Sequence, residues 1–186
     1  SIAMLDHMLD GRLIFGISPG GLLSDAELFG NLDADRNAMF LEAINQVLAI
    51  WEGKPPYNLK GKYWNISVAK QFIADLGQGF VGKPLQQPHP AIWVAARDPG
   101  TFDWAVGIGA NILSTPLSAP PAEVGVLGEK FRKAVADHPE RPRPRLMMQR
   151  RTCVYDRKQD WEVAVRHSVD YGRYFENLMQ NLGGVK

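Results

Sequence analysis

A single cysteine, Cys153, leaves this chain without an internal disulfide, so a reducing, cytoplasmic setting is expected and stability must come from packing. The four histidines, His7, His89, His138 and His167, are scattered. None has a Cys, His or carboxylate partner at a recognised ligand spacing, so no metal centre is expected. Neither charge sign is in excess. Twenty-one Lys and Arg meet 20 Asp and Glu for a net charge of +1, which argues against a nucleic-acid or anionic-membrane partner. The basic run Arg141, Arg143, Arg145 sits in a proline-rich turn and reads as solvated surface. No apolar run has membrane-spanning length, and there is no internal repeat or low-complexity tract.

What is present is an ordinary globular composition, 45% hydrophobic over 186 residues. That is enough for a single domain, 1–186, burying about 70% of its unfolded surface. Ile2, Leu5 and Leu9 recur at helical spacing before Gly11, and Leu13, Ile14, Phe15 and Ile17 then read as a buried strand stopped by Gly16, Ser18, Pro19, Gly20 and Gly21. Phe40, Ile44, Val47, Leu48 and Trp51 mark an amphipathic helix, preceded by Asp33 and Asp35 and followed by Gly53, Pro55 and Pro56. Residues 54–90 lose periodicity and read as an irregular excursion with short aromatic pieces. Regularity returns with a buried strand at Ile92 to Ala96 and a helix opened by Asp98, Pro99 and Thr101. A strand at Ile112 to Ser114, a helix carrying Val124, Leu127, Phe131 and Val135, a strand within Leu146 to Tyr155 and a helix carrying Trp161, Val165 and Val169 complete the pattern. Trp51, Trp93, Trp104 and Trp161 fall on apolar faces as core candidates. Strands alternating with helices imply a parallel α/β sheet. About four βα units are short of the roughly 250 residues of a closed eight-fold barrel, so the choice lies between part of a barrel and a small open sheet.

Three glycine-containing motifs could carry chemistry. Gly77, Gly79 and Gly82 match the GxGxxG dinucleotide fingerprint, but Lys83 and Pro84 follow where a helix must open, so the stretch reads as a loop. Gly16, Ser18 and Gly20 (GISPG) match the nucleophile elbow of serine hydrolases. There the residue after the serine must donate its backbone N–H to the oxyanion, and Pro19 has none. Arg97, Asp98, Pro99, Gly100 and Thr101 end the second strand. The N–H groups of Gly100 and Thr101, with the Thr101 hydroxyl, form a candidate phosphate cradle at a helix N-terminus. The competing reading is that Asp98 caps that helix, where its charge would repel a phosphate.

Taken in order, LDHMLDGRLIFGISPGG, SDAELFG with Arg36, KPLQQPHPAIWVAARDPGTFDWA and GANILSTP resemble the bacterial luciferase-like flavin-dependent monooxygenases, in particular the limonene or alkanal monooxygenase-like branch. The resemblance runs from about Ile2 to Ser114 and more loosely to Tyr155. It implies a partial (β/α)8 TIM barrel, with this chain as its central portion. It further implies reduced FMN as cosubstrate, O2, a small organic substrate, a separate flavin reductase and a homodimer. Ser18 and Pro19 would lie beside the flavin, with Asp25 and Arg36 shaping the same mouth. Arg97 and Asp98 would border the flavin, Gly100 and Thr101 would lie near its phosphate, and Ser114 and Thr115 would end the next strand toward the pocket. Two positions depart from the family pattern. Pro19 replaces an arginine that helps hold the phosphate in light-emitting members, and Asp98 stands where serine is common. Family members are longer, and an upstream histidine implicated in flavin chemistry would precede Ser1, so no catalytic residue is assigned. The alternative is an inactive partial barrel that binds flavin or joins subunits, and the third reading is a serine hydrolase acting through Ser18.

Overall fold

The computed structural model describes residues 1–117 and 119–183. In chain order the elements are α1 (Ile2–Met8), β1 (Ile14–Ile17), α2 (Leu23–Leu28), α3 (Arg36–Glu52), β2 (Asn58–Lys60), β3 (Asn65–Ser67), β4 (Ala91–Ala95), α4 (Pro99–Gly107), β5 (Asn111–Leu117), α5 (Pro121–Asp137), β6 (Leu146–Arg150) and α6 (Trp161–Gly183). Short 3-10 turns lie at Ala74–Leu76 and Lys158–Asp160. β1, β4, β5 and β6 form a parallel sheet in that spatial order, and β2 pairs with β3 in a separate antiparallel hairpin. The strands advance one way without reversing, as in a barrel wall and unlike a doubly wound sheet.

Register explains the core. Ile17 lies opposite Val94, Val94 opposite Ile112, and Ile112 opposite Leu146. This row packs with Ile44 of α3, Phe102 and Val106 of α4, and Leu127 and Phe131 of α5. Side chains alternate across a strand, so the next residues face the other way. Gly16, Trp93 and Asn111 form one such row, and Ala95, Leu113 and Met147 form another. The sequence reads β1 and β4 as buried strands, yet Ile14 is 64% exposed and Trp93 only half-buried. The helices that bury Ile92 and Val94 cover a single face. Trp51 is buried against Phe15, whereas Trp161, expected in the core, is largely exposed at the start of α6.

The excursion is more ordered than its sequence predicts. It holds the β2–β3 hairpin, and its last part is stitched to two helices. Lys83 Nζ donates to the carbonyls of Ile50 and Gly53 (2.6 Å to the latter) and to Tyr57 Oη at 3.0 Å, placing a cation on the C-terminal carbonyls of α3. Gln86 donates through its backbone N–H and its side-chain amide to the buried Asp6 carboxylate of α1, both at 2.8 Å. Burial pushes Asp6 up, but these hydrogen bonds outweigh it and hold the carboxyl below its usual range. Gly77 and Gly79 adopt positive φ in a turn closed by a bridge between Ile73 and Gln78, and no helix follows. The geometry of a dinucleotide-binding turn is therefore absent there.

His138, just past α5, lies 2.9 Å from Asp103 of α4 and 3.4 Å from Glu140. The hydrogen bond to Asp103 holds its imidazole above the ordinary value of 6.5; partial burial opposes this and Glu140 adds to it. Because the folded value exceeds the unfolded one, this contact stabilises fully below about pH 6.5 and is lost as pH rises through the folded value. Urea melts of His138→Ala against the parent are expected to differ most in mild acid and to converge in the alkaline range. Replacing the fully buried Phe102 with Ala is expected to cost about 3–5 kcal/mol in the same assay at any of these pH values.

Candidate functional site

The parallel register delivers the loop after β1 and the loop after β4 to one edge of the sheet, and the first turn of α3 joins them there. Beyond Ile17 the chain makes a tight turn in which Gly20 N–H donates to Ser18 Oγ at 3.1 Å, with Gly20 at φ +78°. A Cβ built on Gly20 or Gly21 would meet no atom within 4 Å, so this backbone borders open space. After α2, Asp35 caps α3 by accepting the Ala38 N–H at 3.0 Å, and Arg36 and Phe40 follow one turn apart on the same side of the helix.

Two clefts result. One, of about 380 Å³, is lined by Ser18, Pro19, Gly20, Leu22, Asp25, Ala26, Phe29, Asn31, Arg36, Met39, Phe40 and Trp64. The other, of about 460 Å³, is lined by Pro19, Asn37, Phe40, Leu41, Ala95, Asp98, Gly100, Thr101 and Trp104. Pro19 and Phe40 border both, and Phe40 meets Trp104 edge-on at 5.6 Å, tying α3 to α4. In the first cleft the Arg36 guanidinium has no ion-pair or hydrogen-bond partner among the described residues, and the buried Asn31 Oδ1 has no hydrogen-bond donor.

Trp64 reaches the first cleft from the hairpin, and Glu42 of α3 is the reason. Its carboxylate accepts the backbone N–H groups of Lys62, Tyr63 and Trp64 at 2.8, 2.9 and 2.9 Å, while Gln46 Nε2 donates to Trp64 O at 3.0 Å. Burial alone would raise the Glu42 carboxyl, but the N–H groups of Trp64, Tyr63 and Lys62 together hold it below the usual range. A side chain at Gly61 would meet this carboxylate and the Gln46 amide, so a larger residue there must displace them from the hairpin N–H and carbonyl groups they hold.

The sequence-derived candidates separate into two groups. Ser18, Pro19, Asp25 and Arg36 gather in the first cleft, and Pro19, Asp98, Gly100 and Thr101 in the second. Arg97 turns instead to Glu123 of α5, and Lys130 Nζ donates to the Arg97 carbonyl at 2.7 Å. Ser114 is fully buried on the helix-covered face, where its hydroxyl donates to Ala96 O at 2.6 Å; neither it nor Thr115 lines these clefts. Asp98 accepts the Thr101 N–H at 2.9 Å and the Thr101 hydroxyl at 2.5 Å. The hydroxyl bond is the main cause of its lowered pKa, against a smaller opposing effect of burial. The capping reading of Asp98 is thus the one realised. No histidine or lysine lines either cleft, so the bases that most often activate a serine are not among the residues lining the Ser18 cleft, where Asp25 is the one carboxylate. Among the lining residues that sequence reasoning missed are Phe40, Trp64 and Trp104. Phe40 and Trp104 look like core residues on helical stripes, and Trp64 sits in the stretch read as irregular.

A one-way parallel sheet with helices on one face and clefts at the strand ends defines a barrel-type α/β protein. The luciferase-like monooxygenase family model matches residues 1–183, and the chain belongs to that family. It is 32% identical over 181 residues to the oxygenase component of a flavin-dependent trigonelline monooxygenase from Acinetobacter baylyi, covering 96% of this chain and 47% of that protein. Among solved structures it resembles monooxygenase RslO1 from Streptomyces bottropensis, with a TM-score of 0.75, 21% identity, and coverage of 96% of this chain and 52% of that one. It also resembles the oxygenating constituent of 3,6-diketocamphane monooxygenase from Pseudomonas putida, determined in complex with FMN, with a TM-score of 0.76, 19% identity, and coverage of 98% and 52%. The chain thus spans about half the length of these relatives, and the structural likeness supports the expected partial barrel.

Removing the Glu42 carboxylate leaves three hairpin N–H groups without their acceptor. In Glu42→Ala, hydrogen exchange at the Lys62, Tyr63 and Trp64 amides is expected to accelerate well beyond that of the β4 amides.

Proposed function

We propose that the protein is an FMN-dependent monooxygenase whose oxygenase takes reduced flavin from a separate reductase and oxygenates a small organic substrate. The observation that carries this reading is the convergence of the β1 loop, the first turn of α3 and the first turn of α4 on two clefts that share Pro19 and Phe40. Membership of the luciferase-like family and the flavin-dependent relative support it.

The residues present fit a flavin. Gly20 and Gly21 leave room for a flat ring against the backbone, and Phe40, Trp64 and Trp104 supply aromatic walls. When bound, the reduced flavin supplies the electrons that activate O2. In this reading Ser18, Pro19, Asp98, Gly100 and Thr101 border the flavin, while Asp25 and Arg36 shape the mouth through which the substrate enters. Leu22, Phe29 and Met39 add apolar side chains to the same cleft. The same reading includes a homodimer, as the family resemblance implies. The lone free thiol, Cys153, fits a cytoplasmic setting.

Anaerobic titration of the full-length protein with reduced FMN, followed by tryptophan quenching, is expected to saturate. Admission of O2 with candidate substrates is then expected to yield an oxygenated product. Absence of FMN binding in both redox states would sink the proposal.

A further inference from the structure

Resting on the flavin reading, we propose that Trp64 is a specificity residue of the first cleft, where it selects substrates that carry a flat ring, and that Glu42 positions it. Among the described residues the β2–β3 hairpin pairs with no strand of the main sheet. Its tip is fastened to α3 instead. The Glu42 carboxylate accepts the N–H groups of Lys62, Tyr63 and Trp64 at 2.8, 2.9 and 2.9 Å, and the Gln46 amide donates to Trp64 O at 3.0 Å. Four hydrogen bonds on three consecutive residues fix the tip before any ligand arrives, so a ligand bears no cost of ordering it.

What the tip delivers is an aromatic ring. Trp64 lines the first cleft and is 38% exposed, while the hydrogen bonds that hold it to α3 run through its backbone. Tyr63 packs against it with ring centroids 5.8 Å apart, and Lys62 Nζ lies 4.9 Å from the Tyr63 centroid. Phe29 and Phe40 line the same cleft. Aromatic rings attract one another in offset or edge-on packing beyond the area they bury, a gain that an aliphatic chain does not share. Trp64 stands with Asp25 and Arg36 and apart from Asp98, Gly100 and Thr101, which puts it on the substrate side of the proposed site.

The test titrates the full-length protein, loaded with oxidised FMN, with indole or 1-octanol, which match in carbon number and each carry a single hydrogen-bond donor. Binding is followed by the change in the flavin's visible absorbance. Trp64→Leu is expected to weaken indole about tenfold and 1-octanol less than about twofold, whereas Trp64→Phe keeps indole within about threefold of the parent. Glu42→Ala is expected to show the same selective loss, and Glu42→Gln, which keeps one oxygen for the Tyr63 and Trp64 N–H groups, to recover part of it. The Trp64 variants leave the backbone bonds of the hairpin in place, so they decide the question even where Glu42→Ala does not fold. Equal losses for both probes, no loss, or no indole binding by the parent overturns the proposal while the flavin reading stands. If the parent binds no FMN, both fall together.

Discussion

Everything at the candidate site depends on one row of apolar contacts: Ile17, Val94, Ile112 and Leu146, side by side across four parallel strands. Packing by Phe102, Leu127 and Phe131 sets which strand residues face the helices, and a one-residue slip would turn each strand over. With the register set, the loops after β1 and β4 must leave from the same sheet edge. Pro19 and Asp98, nearly eighty positions apart in sequence, therefore line one cleft.

Polar anchoring then decides the shape of that edge. Glu42 gathers three hairpin N–H groups and brings Trp64 to the first cleft, and Lys83 fastens the end of the excursion to the carbonyls that finish α3. Such partly buried, hydrogen-bonded charges are costly to leave unpaired, which ties a segment of low regularity to α3. Arg36 is the counter-example: a half-buried guanidinium without a partner among the described residues, in the cleft that also holds the unsatisfied Asn31 Oδ1. Groups left unsatisfied in this way mark the place where a polar ligand has something to gain.

Asp98 shows how a local device closes a helix terminus. As an N-cap it stabilises the first turn of α4, and by doing so it occupies the Thr101 N–H and hydroxyl. Arg97, its neighbour, spends its charge on Glu123 across to α5.

Much of this was legible in the chain alone. The four βα units, the stop after Ile17, the Asp35-capped helix and the Asp98 cap follow from periodicity and capping chemistry, which act over a few residues. The excursion stands outside the main sheet as its sequence implies, but its hairpin is not legible there because the groups that anchor the segment, Glu42 and Lys83, lie about twenty and thirty positions from their partners. Trp161 carried a core signal without a neighbour to cover it, and Ile14 lies on the sheet face that no described helix covers. Local sequence determined which segments become strands and helices and where each one ends, because backbone sterics and side-chain period are short-range. Tertiary structure alone decided which face of the sheet is covered, which candidates meet at the clefts and which, like Arg97 and Ser114, are drawn away, because those outcomes depend on partners distant in the chain.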